Sequence, residues 1–145
     1  MNLIETPLKD KAFIRNLIPQ KKPFVMVDSL HYFSDDKIVS GFTIESENLF
    51  TKNNQFQEPG LIENMAQTIA LHKGYTFHLN KLSAPVGYIG AIKKVEIFKL
   101  PTINQELTTT INILHEIMDV TLVSATIECE GTLIAQAEIK TALAK

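Results

Sequence analysis

The chain has 145 residues, 45% of them hydrophobic, and a formal net charge of −2 from 14 basic and 16 acidic side chains. That length fits one domain around a single core, and the balanced charge excludes the strongly basic field that nucleic-acid binding needs. The lone Cys129 excludes an internal disulfide and a cysteine-based zinc cluster; no apolar run reaches membrane-spanning length and the first eleven residues lack the order of a signal peptide, so the expected compartment is the cytoplasm, with no membrane or nucleic-acid partner.

Residues 8–18 place Ala12, Phe13, Ile14, Leu17 and Ile18 at helical spacing, and Pro19 closes the segment. A polar turn at 20–22 leads through Pro23 into a strand over 24–33. Ser34-Asp35-Asp36 reads as a hairpin turn, with a return strand over 37–44. Residues 45–58 are polar without a clear period and read as a surface loop with one short helical turn at most. A long helix follows, from about Gly60 to about Phe77. Beyond Ser83-Ala84-Pro85, residues 86–98 form one long apolar strand in which Gly87 and Gly90 mark bends or close backbone approaches. A turn at 100–105 precedes a strand over 107–117. Asp119 turns the chain into 120–129, where Thr121, Val123, Ala125 and Ile127 alternate with Leu122, Ser124, Thr126 and Glu128. Cys129 ends that run as a packed thiol. Glu130-Gly131 makes a further hairpin into the last strand, where Leu133, Ala135, Ala137 and Ile139 oppose Ile134, Gln136, Glu138 and Lys140. Helix, two strands, long helix and four antiparallel strands predict a single α+β domain over 1–145, its antiparallel sheet wrapped round the central helix.

The long helix carries the chemistry. It opens on Pro59-Gly60 and runs on as Leu61-Ile62-Glu63-Asn64-Met65-Ala66-Gln67. Ile62, Met65, Ala66 and Ile69 make one apolar stripe, widened by Leu61, Thr68 and Leu71, so most of the circumference is buried. Glu63 is the one carboxylate in that stretch, and an ionised Glu there is costly unless it is paired or functional. Gly60 lets a substrate approach the helix N-terminus, where backbone N–H groups without helical partners favour developing negative charge. A carboxyl beside such a site suits acid–base chemistry on a carbonyl compound. A structural partner for Glu63 is the competing explanation. Glu63, Gln67, Ala70 and Gly74 form a narrower stripe of small and polar residues that either lines a cavity or meets a second copy of the helix.

Three segments in the same order resemble the hot-dog-fold 3-hydroxyacyl-(acyl-carrier-protein) dehydratases of fatty-acid and polyketide synthesis. Leu17-Ile18-Pro19-Gln20-Lys21-Lys22-Pro23-Phe24-Val25-Met26-Val27-Asp28 is similar to that family's LPHRYPFLLVD opening. Leu61 to Gln67 is similar to its LIIEAMAQ helix, and Tyr88 to Pro101 to its FLAGIDNARFKRPV strand and turn. The resemblance spans roughly residues 14–142. It implies a hot-dog fold, a long helix wrapped by a curved antiparallel sheet, that pairs into dimers with active sites at the interface. It also implies an acyl-carrier-protein thioester as substrate and no cofactor. The helix carboxylate of the family protonates the leaving 3-hydroxyl, a His in a GHFP loop of the partner chain removes the C2 proton, and backbone N–H groups hold the thioester oxygen. Glu63 matches the carboxylate, and Gly60 lies near the oxyanion turn. Gln67, Gly90 and Asn54 are the further substrate-binding candidates.

The loop before the helix departs from that pattern. It reads Phe50-Thr51-Lys52-Asn53-Asn54-Gln55-Phe56, with Asn53 at the catalytic His position and Asn54 nearly as well aligned. An amide donates a hydrogen bond but is no general base at neutral pH; the competing explanation of the pair is polar loop residues that tolerate unusual backbone angles. His31, His72, His78 and His115 show no metal-ligand spacing and read as surface or core residues. Lys93-Lys94 reads as a solvated strand edge. Three functions remain open: a dehydratase with an atypical site, an acyl thioesterase on the same scaffold, and a catalytically silent subunit that pairs with an active dehydratase. The assembly is a homodimer, a larger homo-oligomer or a heterodimer with another hot-dog subunit.

Overall fold

A computed structural model describes residues 1–144. In chain order the elements are α1 (Lys11–Asn16), β1 (Ser29–Ser34), β2 (Lys37–Thr43), β3 (Thr51–Lys52), β4 (Gln55–Phe56), α2 (Glu58–Leu79), β5 (Gly87–Ile97), β6 (Glu106–Ile117), β7 (Val120–Cys129) and β8 (Thr132–Leu143). Six strands form one antiparallel sheet in the order β1-β2-β6-β7-β8-β5. Strict alternation builds its centre: Leu107, Thr109 and Ile111 of β6, and Thr121, Val123, Ala125 and Ile127 of β7, are buried. Two-residue turns of positive φ join β6 to β7 at Met118-Asp119 and β7 to β8 at Glu130-Gly131, matching the twist of the strands.

α2 lies on the concave face of this sheet against β2, β5, β6 and β7. Leu61, Met65, Ile69 and Leu71 enter the core with Phe33, Ile38, Ile111 and Ile139. The same helix buries Asn64, Gln67, Thr68 and His72, and each has partners. Asn64 Nδ2 donates to the Met26 carbonyl at 2.7 Å, and Thr109 Oγ1 donates to Asn64 Oδ1 at 2.5 Å. Thr68 Oγ1 donates to the Asn64 carbonyl and lies 2.8 Å from Ser40 Oγ. Buried polar groups satisfied in this way fix the rotation of the helix on the sheet.

Four expectations about elements change. The first helix covers only Lys11–Asn16, capped by Asp10, whose carboxylate accepts from the Ala12 and Phe13 N–H groups; Leu17 and Ile18 are buried as coil. The first strand begins at Ser29 rather than 24, because α2 captures the backbone of 24–26 through Asn64 and Gln67. The region expected as a loop over 45–58 contains the β3–β4 hairpin. The long helix runs from Glu58 to Leu79, wider at both ends than Gly60–Phe77.

β5 is one edge of the sheet and β1 the other. Val86, Tyr88, Ile89, Ile92, Val95 and Phe98 on and beside it are all exposed. Its register slips at Gly90 and again near Lys94, which has φ +53°, the signature of β-bulges. The central helix on a curved antiparallel sheet is the hot-dog architecture.

Candidate active site

Glu63 sits on the second turn of α2, half-buried. It lines a cavity of about 270 Å³ between α2 and the β5–β8 end of the sheet. Ala66, Ile69, Ala70 and Lys73 continue the helix side; Tyr88, Ile89, Thr141 and Leu143 face them, and Pro19 and Gln20 close one flank. The ion pairs among the described residues are Lys73–Glu116 and Lys94–Glu138, so none of the described cations forms an ion pair with Glu63. Its hydrogen-bond partner is Gln67, whose Nε2 lies 3.3 Å from Glu63 Oε2. That amide is fixed: Nε2 also donates to the Phe24 carbonyl at 2.6 Å, and Oε1 accepts from the Met26 N–H at 2.5 Å. The carboxylate is therefore oriented but uncommitted, the condition of a group available for proton transfer.

The other expected site residues occupy different settings. Gln67 is buried and adjoins Glu63 from behind, as a clamp on the 24–26 segment. The small-and-polar stripe divides: Glu63 and Ala70 face the cavity, whereas Gly74 receives the Leu17 carbonyl, which a Cβ there would approach to 1.7 Å. Gly60 is buried beneath Phe56, and a Cβ would lie 2.5 Å from that ring. The Gly60 N–H already donates to the Gln57 carbonyl at 2.9 Å. Gly90 sits at a β5 bulge, beside the lining stretch Gly87–Ile89 and outside it. Asn53 and Asn54 form the two-residue turn of the β3–β4 hairpin, with φ +54° and +64°, a conformation asparagine adopts more readily than most residues. Both are exposed and neither lines the Glu63 cavity.

No histidine lines it either. His72 is buried against Phe33 and donates Nε2–H to the Ser34 carbonyl at 2.8 Å; burial holds its pKa below the usual histidine range. His31 Nε2 lies 2.9 Å from Ser29 Oγ, and His78 meets the edge of Phe13. A larger recess, about 330 Å³, opens elsewhere and is ringed by Lys11, Arg15, Lys22, Asp28, Glu45 and Glu47. Its charges are of both signs, and the Glu63 cavity, which holds the carboxylate of the long helix, is the better site. Within that recess burial raises the Asp28 carboxyl pKa, against the Thr43 N–H that donates to it at 2.9 Å. Burial likewise raises the Cys129 thiol, which is packed as expected. Gln20, Lys73 and Tyr88 are cavity residues not among the expected site residues; Gln20 and Tyr88 lie within the segments that carry the resemblance, and the fold brings all three to the cavity of Glu63.

The sequence pattern of the ApeP dehydratases, the ApeP-like family, matches residues 12–145. The chain belongs to the ApeP-like dehydratase family. Among curated proteins none matches it in sequence. In structure this ApeP-like chain is similar to the dehydratase heterocomplex ApeI:P from Xenorhabdus doucetiae, with 19% identity over 91% of each chain and a TM-score of 0.85. It is also similar to a hypothetical thioesterase from Streptococcus pneumoniae TIGR4 with coenzyme A, at 11% identity over 79% of this chain and 84% of that one, TM-score 0.64. The PaaI protein of E. coli, from the phenylacetic acid degradation operon, shares 11% identity over 78% and 80% of the two chains, TM-score 0.59. These likenesses establish the hot-dog fold.

Proposed function

We propose that this ApeP-like protein dehydrates 3-hydroxyacyl thioesters of an acyl carrier protein to trans-2-enoyl thioesters, with Glu63 as the proton-transfer group. The observation that carries the reading is a half-buried carboxylate, in no ion pair among the described residues and oriented by Gln67, in a mostly apolar cavity. As carboxylate, Glu63 takes the C2 proton. The electron pair left on C2 forms the C2=C3 bond as C3–O breaks. Glu63 returns the proton to the departing oxygen, which leaves as water, and the carboxylate is restored. One group on one face of the substrate thus replaces the two-residue arrangement, which accords with the absence of a histidine from the cavity. A positioned acid or base contributes about 10²- to 10⁴-fold. Glu63→Gln is expected to lose at least that factor in enoyl formation while keeping its fold.

The exposed β5 edge favours a second reading of the assembly. An unpaired apolar edge needs a covering strand, and the ApeI:P relative is a heterocomplex. In this reading a second hot-dog subunit pairs with β5, closes the cavity and supplies the C2 base, while Glu63 remains the acid. Assaying the chain alone and with a co-purified partner separates the two. Following thioester cleavage in the same reaction tests the thioesterase alternative.

A further inference from the structure

The basic side chains are unevenly placed along the chain. Residues 9–22 hold Lys9, Lys11, Arg15, Lys21 and Lys22 against the single Asp10, a formal +4, whereas the other residues hold nine basic against 15 acidic side chains, a formal −6. Asp10 is occupied as the cap of α1. None of the five cations forms an ion pair among the described residues. The fold gathers them on one face. Arg15 stands one turn after Lys11 on α1, and its Nε–H donates to the Lys11 carbonyl at 3.1 Å. Lys21 Nζ donates to the Arg15 and Ile18 carbonyls at 2.6 and 2.8 Å, which fastens the 19–22 turn against the end of α1. Lys11, Arg15 and Lys22 thereby border one recess, with Asp28, Glu45 and Glu47 also on its lining. Lys11 offsets part of that negative charge at Asp28. The basic face also abuts the candidate active site. Pro19 and Gln20 of the same turn line the Glu63 cavity, and Lys22 follows Gln20 by two residues, no more than about 7 Å of extended chain.

We infer that the face formed by Lys11, Arg15 and Lys22 docks the acidic surface of the carrier protein that presents the acyl thioester to the Glu63 cavity, an inference that rests on the dehydratase reading. The sign of the face complements an acidic protein, and such a local field raises the rate of productive encounter. Its place fits as well, since a carrier held there has its thioester arm beside the cavity wall. Its extent is one helical turn and one loop, which suits a small acidic patch. A duplex or an anionic membrane would also meet the −6 carried by the rest of the chain, which repels an extended polyanion. Docking is the same in the ground state and the transition state, so it acts on KM for the carrier-bound substrate and leaves kcat alone.

The test compares the parent chain with Arg15→Glu/Lys22→Glu and with Lys99→Glu/Lys140→Glu. The second pair makes the same change in net charge at exposed positions following β5 and on β8. The probes are an acidic acyl carrier protein loaded with a 3-hydroxyhexanoyl group and free 3-hydroxyhexanoyl-pantetheine, which has no carrier to dock. Arg15→Glu/Lys22→Glu is expected to raise KM for the loaded carrier about tenfold or more, with kcat and the pantetheine reaction within about twofold of the parent. Raising salt from about 0.05 M to about 0.5 M should narrow that gap, because screening shortens the reach of the face. Lys99→Glu/Lys140→Glu should leave the ratio of the two probes unchanged. Should the reversal variant fail to fold, the charge-removing Arg15→Gln/Lys22→Gln is read in the same way. An unchanged KM for the carrier, equal losses on both probes, or equal losses in both double variants overturns the inference. So does a variant that keeps its carrier KM while losing binding to phosphatidylglycerol vesicles, which would assign the face to a membrane. If the parent dehydrates neither probe, the dehydratase reading falls and this inference with it. If the parent dehydrates both and Arg15→Glu/Lys22→Glu treats them alike, only the docking face is lost.

Discussion

Gln67 shows how one side chain joins fold to chemistry. Its amide satisfies the Phe24 carbonyl and the Met26 N–H and still reaches Glu63. Gln67→Leu strands those two backbone groups in the interior, and each buried unpaired group costs about 1–3 kcal/mol. Denaturant unfolding should show a loss of ~2–4 kcal/mol, with lower activity because Glu63 loses its guide. His72 gives a pH signature. Burial depresses its folded pKa, with the Ser34 hydrogen bond opposing and the Lys73 charge assisting. A histidine kept neutral by the fold contributes stability above its unfolded pKa, about 6.5, and that contribution is lost as pH falls towards the depressed folded value. Urea midpoints at pH 7.5 and 5.5 should therefore drop on acidification, and less so in His72→Gln, which keeps a donor for Ser34. Asp28, raised by burial, works in the opposite sense, but it is common to both proteins and cancels in the comparison; an equal drop in both would contradict the assignment. Glu63 stands out as a candidate in the sequence because a lone carboxylate on an apolar helix violates the usual pattern, and the fold sets it in a cavity. Gln20 reaches the same cavity only because the chain folds its polar turn over α2.

At the level of elements, β6, β7 and β8 follow from alternation alone, and α2 from its apolar surface. The failures have identifiable causes. Residues 24–28 have strand composition, yet the Phe24 carbonyl and the Met26 N–H and carbonyl are taken by side chains of α2 from 38 to 43 positions away, a tertiary effect that local propensity does not contain. The β3–β4 hairpin was hidden in polar sequence, although Asn53-Asn54 is a pair suited to two successive residues of positive φ. The resemblance sets this pair at the catalytic position and its residue type suits unusual backbone angles; the positive φ of both asparagines accords with the second. Close packing of the Leu17 region on α2 depends on Gly74. Gly74→Ala drives a Cβ onto the Leu17 carbonyl, and rigid backbone cannot yield cheaply, so thermal unfolding should reveal a loss of ~1–3 kcal/mol or more. An unchanged midpoint would show that the 17–26 segment is not anchored there.

For the whole molecule, the β5 edge dominates. Its apolar side chains are exposed on a strand whose outer edge no other strand among the described residues pairs, and such an edge is a template for pairing. Light scattering coupled to size exclusion at micromolar concentration should find no 16.3 kDa monomer, and a clean monomer would contradict an interface on β5. Pairing would also roof the cavity that holds Glu63, because Tyr88 and Ile89 belong to both. The central claim is that Glu63 moves the protons of a dehydration, and it is tested most directly by mass-spectrometric analysis of a 3-hydroxyacyl-carrier protein incubated with the parent chain and with Glu63→Gln. The account predicts loss of one water from the acyl group with the thioester intact for the parent, and at least a 10²-fold slower loss for the variant. Free acid and unloaded carrier from the parent, or equal rates of water loss from both proteins, would contradict it.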